Sequence, residues 1–126
     1  MTKIKYLSAT ILVLGIMVFS TACEKSTESE STSISLSAAL SNGKITLAEF
    51  GSSSCIPCKE MQPILEDLAN MYDGQLNVVI IEVYEQQVLT QQYSILGIPT
   101  QIVFDSSGKE VTRHIGFWPL ASIVAE

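Results

Sequence analysis

The 126-residue sequence is poor in basic residues, in histidine and in cysteine, and each shortage excludes a class of protein. Seven Lys and Arg stand against 13 Asp and Glu, and this net charge of -6 excludes a nucleic-acid binder with the usual basic face. One histidine, His114, excludes a multi-histidine metal centre. Three cysteines are too few for a disulfide-stapled scaffold or an all-cysteine zinc site. A chain of this length is expected to hold one domain.

Charge is also missing from one long stretch near the N-terminus, residues 6–23. Lys3 and Lys5 precede this stretch, residues 11–19 are almost wholly apolar, and small residues lead up to Cys23. A positive start, an apolar centre and a small-residue end are typical of a secretory signal. The sequence therefore predicts that the remainder of the chain lies outside the cytoplasm.

The cysteine that follows these small residues resembles the lipobox of bacterial lipoproteins. This resemblance implies a lipoprotein signal peptide over residues 1–22 and lipidation of Cys23, which becomes the first residue of the mature chain. Ser20 stands where the lipobox usually has an aliphatic residue. An uncleaved membrane anchor and an ordinary signal peptide are the alternatives, since 18 uncharged residues are at the short limit for crossing a bilayer.

A polar segment separates this N-terminal region from the rest of the chain. Residues 24–33 contain only Ser, Thr, Glu and Lys, so they cannot bury enough apolar surface to offset the entropy of ordering them. Residues 23–33 are therefore expected to form a lipid-anchored flexible tether, and residues 34–126 to form the folded domain.

Hydrophobic patterning in residues 34–126 predicts elements in the order α-β-α-β-α-β-β-α. The second helix shows the clearest pattern, with apolar residues on one face of a 3.6-residue period and Pro63 expected to kink it. Val and Ile on both faces of residues 76–84 predict a central, parallel strand. The other helices are predicted at 34–40, 86–94 and 117–126, and the other strands at 45–50, 100–105 and 110–115.

The segment Cys55-Ile56-Pro57-Cys58 lies where a predicted strand gives way to the second helix. At a helix N-terminus, unsatisfied N–H groups and the helix dipole favour a thiolate, so Cys55 is expected to be the nucleophile. Cys58 follows one turn later on the same side of the helix, within reach for a disulfide. Pro57 falls in the first turn, where its missing N–H costs nothing.

A structural staple and half of a metal site are the alternative roles for the cysteine pair. A staple explains the pair poorly because so short a loop gains little from cross-linking. A zinc site lacks two further plausible ligands in the domain. Lipidation of Cys23 would leave one clean pair among the three cysteines. His114 is interpreted as a surface or packing residue and Trp118 as a packing residue.

From residue 35 onward, the chain resembles the thioredoxin superfamily, and in particular its exported, membrane-tethered lipoproteins. The resemblance implies an α/β thioredoxin-like fold, a central mixed β-sheet flanked by helices. The matching segments are Glu49-Phe50, Cys55-Ile56-Pro57-Cys58-Lys59, Pro63-Ile64-Leu65, Gly97-Ile98-Pro99-Thr100, Phe104, Gly108-Lys109-Glu110-Val111 and Gly116.

The same resemblance carries over three positions, Pro99, Glu49 and Pro63, of which Pro63 has a packing role only. Pro99 matches the family's cis-proline, so the backbone of Ile98 is expected to pair with substrate like an added strand. Glu49 matches a buried acid; within an apolar strand its pKa should be raised, so that it takes the proton from Cys58. Ile56 and Pro57 complete the expected substrate-contacting surface.

The sequence therefore predicts an extracytoplasmic thiol–disulfide oxidoreductase, and the dipeptide Ile56-Pro57 favours a reductase. No cofactor or metal is expected. The implied partners are exported protein disulfides, with apocytochrome c among the candidates, a transmembrane thiol electron donor, and the membrane through the lipid anchor. We expect a monomer. The alternatives are an oxidase or isomerase with the same site, a metal-delivery module, and an inactive structural domain.

Overall fold

The computed structural model describes residues 34–126, which form four helices and four strands in the predicted order. The predicted signal peptide, Cys23 and the tether lie outside the described residues. Within residues 34–126, no helix is long and apolar enough to cross a membrane. The elements are α1 Leu36–Ser41, β1 Ile45–Gly51, α2 Ile56–Met71, β2 Leu76–Glu82, α3 Gln87–Gln92, β3 Thr100–Phe104, β4 Glu110–Ile115 and α4 Leu120–Ile123.

The four strands form one mixed sheet in the order β2-β1-β3-β4. Strand β1 pairs in parallel with β2 and antiparallel with β3, and β3 pairs antiparallel with β4. Helices flank this sheet, which confirms the predicted thioredoxin-like α/β class.

Strand β1 separates two apolar clusters, because successive side chains of a strand point to opposite faces. Ala48 and Phe50 pack in the cluster that includes residues of α1. Leu47 packs with Met61 and Leu65 of α2 on the other face. Since Glu49 has the same parity as Leu47, its carboxyl is directed to the face that α2 covers.

Helix α2 is the longest helix of residues 34–126 and carries the cysteine pair at its start. Its buried side chains recur at helical spacing and pack one face against the sheet, and the helix continues as one element through Pro63. The predicted period is confirmed. This packing places the first turn of α2 beside the end of β1.

Three predictions need correction. The segment 76–84 is parallel to β1, as predicted, but it is an edge strand of the described sheet rather than a central one, and Ile80 is 56% exposed. It also ends two residues early, in a turn. The helix expected over 117–126 is only α4, because Pro119 forms its N-cap and Trp118, ahead of it, is buried with Met61. Helix α3 is likewise shorter than predicted.

Candidate active site

Cys55 is the N-cap residue of α2, as the sequence predicts. Its backbone is extended, with φ -88° and ψ 123°, and the N–H of Cys58 donates a hydrogen bond to its Sγ at 3.3 Å. Cys55 and Cys58 form a disulfide. In the dithiol state, the same N–H would face the Cys55 thiolate, and the positive end of the helix dipole would stabilise that charge.

The two cysteines differ in their access to solvent. Cys55 is half-buried, whereas Cys58 is only 4% exposed. Ile56, between them, is 72% exposed, and Pro57 is half-buried. A large partner can therefore approach Cys55 over an apolar rim, while Cys58 is shielded and suited to attack within the molecule.

Glu49 is a buried acid on β1, with 2% of its surface exposed. It lies opposite Gln101 in the β1–β3 register, and Gln101 Nε2 donates a hydrogen bond to Glu49 Oε2 at 3.0 Å. Burial raises the pKa of Glu49 from 4.5 to about 7, and the hydrogen bond from Gln101 opposes part of that rise. The carboxyl is thus able to gain or lose a proton near neutral pH.

Gly51 provides the opening between this acid and the cysteine pair. A Cβ atom placed on Gly51 would lie 3.3 Å from Cys58 Sγ and 3.4 Å from Glu49 Oε1. The sulfur and the carboxyl oxygen therefore both border the space that a side chain at Gly51 would fill. Because both residues also line one cavity, a water there could carry a proton between them.

A cavity of about 170 Å³ adjoins this opening and contains a second carboxyl, Glu82 of β2. The backbone N–H of Ser53 donates to Glu82 Oε2 at 2.8 Å and holds the pKa of Glu82 below its ordinary value. The pKa values of the two carboxyls are thus shifted in opposite directions, because burial favours the protonated form of Glu49. Several polar side chains line the cavity and it is large enough for water, so it offers Glu49 a route for proton exchange.

Ile98 and Pro99 lie at the same end of the sheet as the cysteine pair. The register pairs Thr100, at the start of β3, with Phe50, near the end of β1. The Ile98–Pro99 peptide bond is cis, which confirms the prediction. Pro99 is buried and Ile98 is half-buried.

The structure therefore brings Glu49 and the two cysteines together and places the Ile98–Pro99 segment at the same end of the sheet. His114 stacks on Trp118 with ring centroids 4.9 Å apart, in keeping with the predicted packing role. Cys23 lies outside the described residues. Sequence reasoning did not find Gln101, the spacing role of Gly51, or Glu82. The only signal for Gln101 was a polar residue inside an otherwise apolar strand.

A cysteine pair at a strand-to-helix junction, one sulfur reachable and the other shielded, on a mixed sheet flanked by helices, defines a thiol–disulfide oxidoreductase. The Thioredoxin family model matches residues 28–126. Thioredoxins of Staphylococcus saprophyticus and Staphylococcus epidermidis are each 37% identical over 75 residues, which cover 60% of this chain and 71% of each relative.

Among solved structures, a point mutant of the thioredoxin from Halobacterium salinarum NRC-1 matches with a TM-score of 0.62 and 29% identity. The match covers 68% of this chain and 73% of that chain. This chain belongs to the thioredoxin family. Its substrates are accordingly protein disulfides.

Proposed function

We propose that this protein is an exported, lipid-anchored thioredoxin that reduces disulfides of other exported proteins. The observation that carries the reductase site is the half-buried Cys55 at the N-cap of α2, with the shielded Cys58 facing Glu49 across Gly51. Each sulfur has a different environment, and each environment suits one of the two steps of disulfide exchange.

In the first step, the Cys55 thiolate attacks one sulfur of a substrate disulfide. A bond forms between Cys55 and that sulfur, the substrate S–S bond breaks, and the other substrate sulfur leaves as a thiolate. The N–H of Cys58 and the dipole of α2 stabilise the attacking thiolate. The exposed side chain of Ile56 and the backbone of Ile98 supply the contact surface for the substrate chain.

In the second step, Cys58 attacks Cys55 and releases the substrate. The Glu49 carboxylate takes the Cys58 proton, the Cys55–Cys58 bond forms, and the bond from Cys55 to the substrate breaks. Both substrate sulfurs are released as thiolates that take protons from water, so the substrate leaves as a dithiol reduced by two electrons and the enzyme is left as the disulfide. Glu49 then returns its proton to water through the adjoining cavity.

Two sequence features support the proposed direction of disulfide exchange and the proposed location of the protein. The dipeptide Ile56-Pro57 between the cysteines favours a reductase, and the lipobox-like end at Cys23 favours a lipid anchor outside the cytoplasm. Because that environment is oxidising, turnover requires a membrane donor of thiol electrons. Such a transmembrane thiol donor is the proposed partner on one side, and exported disulfides, with apocytochrome c among the candidates, are the proposed substrates.

Reduction of insulin with dithiothreitol as the electron source tests the site. The wild-type protein should accelerate the reduction, Cys55→Ser should abolish the acceleration, and Cys58→Ser should retain the first attack and accumulate a mixed disulfide. Equal rates for wild type and Cys55→Ser would contradict the assignment. Cys58→Ser expressed in the native cell would also identify the substrates, which remain bound to Cys55.

Equilibration with glutathione tests the direction. A reductase is expected near the thioredoxin value of about -270 mV, whereas a potential near -120 mV would indicate an oxidase. The anchor is tested separately by fractionation and lipid labelling of wild type against Cys23→Ala. The wild type should label and sediment with the membrane, while Cys23→Ala should not label; equal labelling of both would refute lipidation at Cys23.

A further inference from the structure

Gln101 is a polar side chain buried completely in the middle of the sheet, with 0% of its surface exposed. Its Nε2 donates to Glu49 Oε2 at 3.0 Å. Its Oε1 is also buried, and no donor among residues 34–126 hydrogen-bonds to it. A buried acceptor without a donor costs free energy of folding. Packing alone therefore does not explain why an amide side chain stands at this position.

The reaction itself supplies a donor. When Glu49 takes up a proton, its carboxyl gains an O–H next to the amide of Gln101. Half a turn about the terminal bond of the Gln101 side chain exchanges Oε1 and Nε2, which places Oε1 in the 3.0 Å contact with Glu49 Oε2. The amide can therefore donate to the carboxylate and accept from the carboxylic acid, which an apolar side chain of the same size cannot do.

We propose that Gln101 is a positioning residue for disulfide exchange, which holds the carboxyl of Glu49 toward Cys58 and hydrogen-bonds it in both protonation states. This inference rests on the proposed role of Glu49 as the acceptor of the Cys58 proton. Gln101 hydrogen-bonds to Oε2 of Glu49. The other carboxyl oxygen, Oε1, therefore remains available on the side of Cys58, beside Gly51. The proton moves from Cys58 to Glu49 and then to water, and Gln101 itself neither gains nor loses one.

The groups around Glu49 explain why the hydrogen bond from Gln101 matters for its ionisation. Cys58 faces Glu49 from α2, Glu82 faces the shared cavity from β2, and β3 contributes the uncharged Gln101. The described residues that line the cavity include no basic side chain that could stabilise the carboxylate. Burial raises the pKa of Glu49, and the hydrogen bond from Gln101 opposes this rise.

Gln101→Met removes the amide and keeps a side chain of similar length. In the full-length protein, we measure the rate at which Cys58 closes the disulfide on a Cys55 mixed disulfide, as a function of pH. The wild-type rate should rise with a midpoint near the Glu49 pKa of about 7. Loss of a charge-assisted hydrogen bond should move the midpoint upward by about one unit, which means about five-fold less carboxylate and a correspondingly slower closure at pH 7.

The matched control is Ile102→Val, a conservative change at the neighbouring position of β3, which packs in the cluster on the opposite face of the sheet. This control should lower stability without moving the midpoint. A second measurement needs no variant of Gln101 that folds. The side-chain amide signals of Gln101 in the wild-type protein, followed by NMR, should shift with pH in step with Glu49, and this shift should vanish in Glu49→Gln.

The outcomes separate the two ideas. If Glu49→Gln leaves the pH profile of closure unchanged, the proposed proton transfer to Glu49 is wrong, and the role of Gln101 falls with it. If Glu49→Gln removes the midpoint near pH 7 while Gln101→Met leaves it in place and the amide signals stay flat, the role of Gln101 alone is overturned. A midpoint that moves in Gln101→Met but stays in Ile102→Val supports the proposal.

Discussion

Glu49→Gln should make the oxidised protein more stable at neutral and alkaline pH. Burial raises the pKa of Glu49 from 4.5 to about 7. Each pKa unit corresponds to about 1.4 kcal/mol, so ionising this carboxyl in the native state costs about 3 kcal/mol more than in the unfolded state. The substituted amide has nearly the same size and carries no charge, so it avoids that cost.

The sign of the pH dependence follows from linkage. The native carboxyl binds its proton more tightly than the unfolded one, so its contribution is fully present below pH 4.5 and is lost as the pH rises through about 7. The wild type should therefore lose about 3 kcal/mol of unfolding free energy across this window relative to Glu49→Gln. Against a total of about 5–15 kcal/mol for a typical domain, the change is easily measured.

Urea denaturation of both oxidised proteins from about pH 5 to about pH 9 measures this difference, because the other titrating groups cancel between them. With an m-value of roughly 1–3 kcal/mol per molar urea, the two midpoints should separate by at least about 1 M at the alkaline end. Parallel curves with a constant offset would refute the reasoning, since they would show that Glu49 titrates alike in the folded and unfolded chains.

Three further substitutions test other parts of the structure. Gly51→Ala would place a Cβ 3.3 Å from Cys58 Sγ and should slow disulfide closure several-fold and cost about 1–3 kcal/mol in urea denaturation; unchanged closure would contradict the spacing role of Gly51. Glu82→Ala removes the acceptor of the Ser53 N–H, so this amide should exchange faster with solvent, and equal protection would show that the bond does not order the loop. Ser35→Ala removes the N-cap of α1 and should cost about 1 kcal/mol, whereas no loss of stability would show that the cap is dispensable.

The parts of the site that lie close together in sequence could be predicted from it. Cys55 and Cys58 fall at a change from strand-like to helical patterning, and that change fixes the N-cap position of Cys55. Glu49 could be recognised as buried because apolar residues surround it in a short strand. Both features can be predicted from the hydrophobic pattern of residues that are neighbours in the sequence.

The parts that depend on strand pairing could not be predicted in the same way. Gln101 meets Glu49 across 52 positions of sequence, and only the β1–β3 register joins them. A polar residue in an apolar strand indicates a buried partner but does not identify it. Strand β2 was misplaced for a similar reason, because apolar residues on both of its faces do not tell whether a further strand pairs beside it.

The two steps of disulfide exchange require thiols in different environments, and one short segment of the chain provides both. The first thiol must ionise readily where a partner can reach it, and the N-terminus of α2 provides that environment for Cys55. The second thiol is shielded, where ionisation is unfavourable, so it needs a base close by that releases protons near neutral pH. Burial of Glu49 near the end of β1 creates such a base, and the absence of a side chain at Gly51, the last residue of β1, leaves space between that carboxyl and Cys58. Strand, turn and helix are continuous in the chain, so one short segment builds both environments.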